Sequence, residues 1–428
     1  MIFAAVTLVV CSSKAEDKAR LTLSDFTRPR LLERFDSDRD GHLNAVEGNA
    51  LRAAFGGIDV PLLPVKSGQY RLGEISSHLG PLKMHALDNT SASNPISDAG
   101  AQLGRVLFYD KLLSKNDSIS CASCHLQERA FADPRQFSIG FEGGMTSRNA
   151  MGLGYSRFTL IKGSRPGFFW DERAATLEDQ VLLPIQDKVE MGMQLNDLER
   201  KLQSQPYYPP LFEAAFGSRE VTSKKIAKAI AQFMRSLVSF DSKFDRAAKA
   251  TGGTDYSQAF SNFTDQENLG KSLFIDGVGA IAEIGCAHCH VPPTFGMPKS
   301  FNNGLDLQYT DRGLGARDVP SNDPFTANND GKFKAPALRN IALTSPYMHD
   351  GRFTTLDQVV EHYSSGVHPH VNLGLAFKVE HDANDSETSG FQLTPPQKSA
   401  IVAFLKTLTD KNLNSHPKFS DPFVRSKD

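Results

Sequence analysis

Two pentapeptides, Cys121-Ala-Ser-Cys124-His125 and Cys286-Ala-His-Cys289-His290, place two thiols three positions apart with an imidazole directly after the second. Such a unit can add both thiols to the vinyl groups of one porphyrin and present its histidine as the proximal ligand of the iron. Two copies read as two c-type haem attachment sites. The same residues could also make a zinc site from two CxxC pairs, a redox-active dithiol or two disulfides. None of these requires histidine after the second cysteine in both copies, and a CxxC disulfide closes too short a loop to restrain much chain. Apart from Cys11, every cysteine of the chain lies in these two units.

A third candidate lies upstream. Residues 36–47 read Asp36-Ser-Asp38-Arg-Asp40-Gly41-His42-Leu-Asn44-Ala-Val-Glu47, which matches the twelve-residue EF-hand calcium loop at each diagnostic position. Asp36, Asp38 and Asp40 would offer carboxylate oxygens, His42 its carbonyl, Asn44 a water-mediated contact and Glu47 a bidentate carboxylate, with Gly41 at the sharp turn. Leu31, Leu32 and Phe35 fit an entering helix, Leu51 and Phe55 a leaving one. An acidic turn holding no ion is the alternative, since no second such loop is present to pair with it.

These sites need a scaffold. The chain has 428 residues, 40% hydrophobic and 22% charged, which is the composition of a globular protein of two or three domains. A net charge of −2 gives no electrostatic case for nucleic-acid binding. Met1 to Val10 are uncharged and mostly apolar, and Ser13-Lys14-Ala15 resembles a signal-peptidase site, so residues 1–15 read as an export signal and the protein as periplasmic or otherwise exported. Elsewhere no run approaches the ~20 apolar residues of a membrane span.

Gly104-Arg105-Val106-Leu107-Phe108 and Gly270-Lys271-Ser272-Leu273-Phe274 precede the two haem units by 17 and 16 residues. The repeat predicts an internal duplication: a mainly α protein of two cytochrome c-like domains with long loops. The division is an EF-hand helix-loop-helix segment at 16–60, a linker at 61–91, an N-terminal haem domain at 92–255 and a C-terminal one at 256–428. Helical periodicity is clearest at 224–240, where Ile226, Ile230, Phe233, Met234 and Leu237 share a face, and at 397–408.

The ordered motifs SISCASCH, AFAD, SRN at 147–149, FFWDERA, LEDQVLLPIQDKVEMGM, GCAHCH, LRNIALTSPYMHDGRF and TLDQVVEHY resemble those of the di-haem cytochrome c peroxidase and MauG superfamily over about residues 92–410. The resemblance implies that the haem at His125 meets hydrogen peroxide and the haem at His290 exchanges electrons with it. It implies that Glu190 is the distal acid–base group, that Gln180 and Pro184 share its pocket, and that Trp170 is the inter-haem tryptophan. It further implies a calcium ion between the domains, held by Asn149, Thr344 and Pro346.

Two departures bear on the branch. Where cytochrome c peroxidases of this type carry a capping histidine in Ser-Ile-Gly-His-Gly, this chain has Phe141 after Ser138-Ile139-Gly140, which implies an open first iron at rest. Fourteen residues after His349, where cytochrome-reducing enzymes have a methionine ligand to the second iron, stands Tyr363, as in MauG. A phenolate favours higher iron oxidation states than a thioether does. The resemblance thus implies a MauG-like peroxidase that oxidises a residue, Trp or Tyr, of a partner protein. The alternatives are peroxide detoxification with a small cytochrome or cupredoxin as donor, and a non-catalytic electron-transfer cytochrome. Each residue also has an ordinary reading: Tyr363 shares an apolar helix face with Leu356, Val359 and Val360, Trp170 could be core, Glu190 solvated, Asn149 a turn residue and Phe141 loop packing.

Overall fold

The computed structural model describes residues 21–71, 77–159, 167–252, 255–277, 285–317, 319–320, 327–377 and 390–424; the expected export signal at 1–15 lies outside them. Among the described residues the structure is helical, with one two-stranded antiparallel sheet. The helices are α1 (Arg28–Phe35), α2 (Ala45–Ala54), α3 (Pro81–Leu87), α4 (Asp98–Tyr109), α5 (Leu177–Gln186), α6 (Leu195–Gln203), α7 (Tyr208–Phe216), α8 (Ser223–Ser236), α9 (Lys243–Thr251), α10 (Asp265–Ile275), α11 (Leu356–Ser365), α12 (Pro395–Thr407) and α13 (Lys411–Ser415). Strands β1 (Met297–Phe301) and β2 (Phe333–Ala335) form the sheet. Their starts follow local chemistry: the side chains of Ser97, Thr222, Thr264 and Thr355 accept from backbone N–H groups that the first turn leaves without helical partners.

Two helix crossings of the same construction organise the two halves. At Gly104 of α4 a Cβ would lie 2.0 Å from the Ala229 carbonyl oxygen of α8, and at Gly270 of α10 a Cβ would lie 1.9 Å from that of Ala400 in α12. Only glycine lets either pair approach so closely. The next contacts, Phe233 Cβ at 2.8 Å and Phe404 Cβ at 2.9 Å, match as well. The repeated glycines of the sequence thus occupy equivalent crossings.

Two large apolar cores result, beside a small cluster of Val367, Leu373 and Phe377. The first gathers the buried faces of α4, α5 and α8, including the predicted Ile226, Ile230, Phe233, Met234 and Leu237; the second is built on Phe244, Phe274, Phe295 and Phe404. Two segments sit differently from the division expected from sequence. Within the expected linker at 61–91, Leu63, Tyr70, Leu79 and Met84 are buried in the first core. The tail placed with the C-terminal unit returns to the first core through Leu413, Phe419 and Phe423. There Tyr70 and Tyr109 donate to the Lys418 and Phe419 carbonyls at 3.0 and 2.7 Å. A chain end follows whatever backbone acceptors and apolar faces are left open in space, and sequence proximity does not report those.

Buried charge pairs cross the packing. Arg235 forks onto Glu178 (2.6 and 2.9 Å), joining α8 to α5. Arg339 forks onto Asp245 (2.8 and 2.9 Å), both nearly solvent-free, and its guanidinium lies over Tyr155, Phe240 and Phe295. Burial alone would raise the Asp245 pKa, but Arg339's charge and hydrogen bonds outweigh it and hold the carboxyl below its usual value.

Candidate functional site

Each CxxCH unit opens with a 3₁₀ turn, Cys121–Ser123 and Cys286–His288, followed by the histidine, whose N–H bonds back to the first cysteine's carbonyl at 3.0 and 2.9 Å. The turn brings both sulfurs and the imidazole to the wall of one cavity. Nδ1 of His125 meets the Phe131 carbonyl at 2.8 Å, and Nδ1 of His290 meets those of Phe295 and Pro336 at 3.1 Å. A carbonyl only accepts, so Nδ1 carries the proton and Nε2 is the nitrogen left to take a metal. Burial lowers the pKa of both histidines, that of His290 to about 4, which keeps the imidazoles neutral as iron ligands must be.

The two cysteine pairs line separate cavities. Among the described residues the only cluster of three metal-binding His, Cys, Asp or Glu side chains is Asp36, Asp38 and Asp40, so the chain does not fold into a four-cysteine zinc site. Two thiols and a neutral imidazole on a largely apolar cavity wall fit a covalently attached haem.

The first cavity, about 830 Å³, also has Trp170, Gln180, Pro184 and Glu190 in its wall. Burial, with the like charge of Asp187 adding to it and Arg173 opposing, pushes Glu190 up to about 7. Its backbone is fixed by N–H donation to Asp187 Oδ1 (3.0 Å) and acceptance from Phe141 N (3.0 Å). Phe141 itself is buried against Gly192, outside the cavity wall, and His125 is the one histidine among the described lining residues.

The second cavity is narrower, about 200 Å³, and brings Tyr363 of α11 together with Cys286, Cys289 and His290. The Tyr363 ring stacks on Phe377 at 5.5 Å and its hydroxyl oxygen accepts from Asn303 Nδ2 at 3.3 Å. Burial pushes its pKa up to about 12, against the hydrogen bond from Asn303. Its helix neighbours Leu356 and Val360 are buried, so the apolar face exists and Tyr363 is the polar end of it.

Trp170 lines both cavities, and its indole N–H donates to the Asn149 carbonyl at 2.9 Å. Asn149 borders both as well, while Thr344 and Pro346 border the second. The Asn149 N–H reaches the His349 carbonyl at 2.7 Å and its amide nitrogen donates to the Arg135 and Gln136 carbonyls, tying the two halves together.

In the upstream loop Gly41, at φ +83°, donates to Asp36 Oδ2 at 2.9 Å, and the carboxylates of Asp36, Asp38 and Asp40 converge within 4.8 Å. Asp36 Oδ1 is buried without a hydrogen-bond partner, which fits an oxygen-seeking cation. His42 and Asn44 occupy the loop, with Asn44 capping α2 through N–H donation from Val46 and Glu47 and giving its amide to Asp38. Glu47 is not gathered with the three aspartates. Its carboxylate accepts from the hydroxyl and N–H of Ser37 (both 2.6 Å) and from Asn44 N–H (3.0 Å), which hold its pKa down to about 2.

Three side chains at these sites escaped the sequence reading. Asn303 bonds both Tyr363 Oη and, at 3.6 Å, the sulfur of Met348, another lining residue of the second cavity. Lys334 lies in both cavity walls, its Nζ donating to the Gly167 carbonyl, and burial pushes it down to about 8. No local pattern marks such residues, because their partners are 45 to 167 positions away.

With this geometry in view, similarity to known proteins becomes specific. The family described as di-haem cytochrome c peroxidase matches residues 98–252 and 264–387, more than half of the chain. The chain belongs to this family. Among its relatives, the cytochrome c551 peroxidase of Nitrosomonas europaea is 33% identical over 326 residues (76% of this chain, 83% of that protein). The methylamine utilization protein MauG of Methylophilus methylotrophus is 31% identical over 316 residues (74% and 84%). A solved MauG-like protein associated with microbial copper homeostasis matches with a TM-score of 0.62 at 33% identity, over 83% of this chain and 99% of that one. The diheme peroxidase BthA from Burkholderia thailandensis, 22% identical with a TM-score of 0.61, shares the fold. As a di-haem cytochrome c peroxidase, the chain is a haem peroxidase with two c-type haems. Similar identities to MauG and to a c551 peroxidase leave the branch to individual residues.

Proposed function

We propose that this di-haem peroxidase is of the tyrosine-ligated, MauG-like kind, exported, and that it oxidises a Trp or Tyr residue of a partner protein at the expense of hydrogen peroxide. The reading rests on Tyr363, which lines the second cavity together with His290. Bound haem would supply, at each CxxCH unit, an iron centre for peroxide reduction or electron storage, held by Cys121, Cys124 and His125 and by Cys286, Cys289, His290 and Tyr363. The chain's own part is proton and charge management. Glu190, poised near 7, takes a proton from one peroxide oxygen at its carboxylate and returns it to the other as the O–O bond breaks. Gln180 and Pro184 shape that side of the cavity. Trp170 sets an oxidisable ring in the wall common to both cavities, fixed by its bond to the Asn149 carbonyl.

Two calcium sites complete the reading. An ion held by Asn149, Thr344 and Pro346 would lock the halves in register, and one at Asp36, Asp38, Asp40, His42 and Asn44 would order the helix pair α1–α2, with Glu47 swinging in as the ion displaces its present donors. The matched glycine crossings support two duplicated haem units. The second reading, detoxification with a small cytochrome or cupredoxin as donor, is favoured by the c551 peroxidase relatives.

An optical and EPR titration of the diferric holoprotein with one equivalent of peroxide, without reductant, separates the two. A long-lived species that has lost both ferric signals is the expected outcome. A diferric protein that stays unreactive, with only the half-reduced form consuming peroxide, would transfer the assignment to the donor-dependent enzyme.

A further inference from the structure

The chain has nine tyrosines, and their hydroxyl partners differ in chemistry. Tyr70, Tyr109, Tyr155, Tyr256 and Tyr347 donate to backbone carbonyls, and Tyr309 to the side-chain amide oxygen of Asn302. Tyr363 accepts from Asn303. Tyr207 and Tyr208 instead donate to a carboxylate, and both choose the same oxygen, Asp110 Oδ2, at 2.8 and 2.7 Å. The other oxygen of Asp110 accepts from Leu112 N–H at 2.9 Å, which fixes the carboxylate plane.

The distinction matters for redox chemistry. Removing an electron from a phenol makes its O–H strongly acidic, so in a solvent-free site the electron leaves readily only if a base stands ready for the proton. An amide oxygen is too weak a base; a carboxylate is not. Both rings are fully buried, their centroids 4.6 Å apart, and burial together with Asp110 raises the Tyr208 pKa well above its ordinary value, which closes the route through prior ionisation.

The pair is also well placed. Asp110 caps the end of α4 two residues after Phe108, a wall residue of the first haem cavity, and Cys121 packs against the same apolar core that holds Tyr207 and Tyr208. On the other side Phe26 and Phe423 meet the Tyr207 ring edge-on, both at 6.2 Å, and Phe55 at the end of α2 lies 5.7 Å from Phe26. A line of aromatic rings therefore runs from Tyr208 through Tyr207 and Phe26 to Phe55, at the end of the helix pair that carries the aspartate loop.

We propose that Tyr207 and Tyr208, with Asp110 as shared proton acceptor, are a second oxidisable site of this peroxidase that stores one oxidising equivalent from the first haem on the protein. Tyr208 gives one electron to the peroxide-oxidised haem centre, which is reduced by one equivalent. Its O–H bond breaks, and the proton forms a carboxylic acid O–H at Asp110 Oδ2. Exchange with Tyr207 repeats the same transfer: Tyr208 recovers its electron and proton while Tyr207 loses its own electron to Tyr208 and its proton to Oδ2. One electron from the Trp or Tyr residue of the partner protein that the enzyme oxidises, with the proton returning from Asp110 Oδ2, restores the resting pair. Peroxide reduction, already the activity of the family, supplies the oxidant.

Freeze-quench EPR of the full-length holoprotein after peroxide addition without reductant tests the site. A tyrosyl radical signal that narrows with ring-deuterated tyrosine is expected, lost in Tyr208→Phe and in the Tyr207→Phe/Tyr208→Phe double variant, and retained in Tyr256→Phe. Asp110→Asn keeps both rings but removes the base, so the radical should be lost there too. A second measurement needs no variant: after repeated peroxide additions to the wild type, peptide mass spectrometry should find ring oxidation concentrated at 207–208. The proposal is overturned if haem oxidation occurs with no tyrosyl signal, if the signal survives in the double variant, or if oxidation falls instead on tyrosines bonded to carbonyls. A merely structural role for the cluster would lower stability in the variants and leave no radical in the wild type to lose.

Discussion

Glu190 should set the pH dependence of peroxide reduction. An exposed glutamate titrates near 4.5, whereas burial in the first cavity, reinforced by Asp187, moves this one to about 7. Burial is the larger cause. As the base that takes the first proton, Glu190 must be deprotonated in the free enzyme. A midpoint near 7 leaves about 10% of it active at pH 6 and about 90% at pH 8, so kcat/KM for peroxide should climb roughly tenfold between them. Asp187→Asn removes the like charge but leaves the burial, and should move the midpoint down by less than half of the way to 4.5. Glu190→Gln should abolish the dependence and lower the rate by about 10²–10⁴-fold, the usual worth of a general acid–base group. The assay is stopped-flow formation of the oxidised haem spectrum across pH 5–8.5, with haem content as the control for folding. A flat profile through that range, a midpoint near 4.5, or an unchanged midpoint in Glu190→Gln would refute the reasoning.

Other expectations follow from the same geometry. Tyr363→Met replaces a phenol oxygen with a thioether in the second cavity and should raise the midpoint potential of that haem in a spectroelectrochemical titration; an unchanged potential would remove the phenol from the iron. Trp170→Phe keeps a ring between the cavities but one far harder to oxidise, and should slow electron exchange between the haems in flash photolysis, whereas equal rates would reduce Trp170 to packing. Arg339→Leu leaves Asp245 buried and charged without its fork partner and should cost about 3–5 kcal/mol in denaturant unfolding; a loss under about 1 kcal/mol would mean that water reaches the pair.

How much of this was legible in the chain depends on the range of the interaction involved. Each CxxCH unit was readable because both thiols and the histidine lie within five consecutive residues, and a single 3₁₀ turn is enough to bring them to one cavity wall. The paired cores were readable through Gly104 and Gly270, since a close helix crossing excludes every larger side chain. The helical stretches at 224–240 and 397–408 were readable from their periodicity and appear as α8 and α12, the first ending at Ser236. The aspartate loop was likewise local, whereas the donors that the Glu47 carboxylate holds here, the backbone N–H groups of Ser37 and Asn44, could be seen only in the folded loop.

What only the folded chain decided is the environment of each reactive group. That Glu190 is poised near neutrality depends on burial by segments far from it, and no spacing encodes desolvation. That Tyr363 meets the second cavity as well as an apolar core depends on Asn303 and Phe377. The tail at 411–424 left its own half because the first core offered apolar contacts and partners for its backbone carbonyls. The Tyr207–Tyr208–Asp110 cluster joins residues 97 and 98 positions apart, and in the sequence its members are an ordinary tyrosine pair and an ordinary aspartate. Covalent and short-range chemistry can be read along the chain, whereas proton affinity and redox poise are set by neighbours that only tertiary packing supplies.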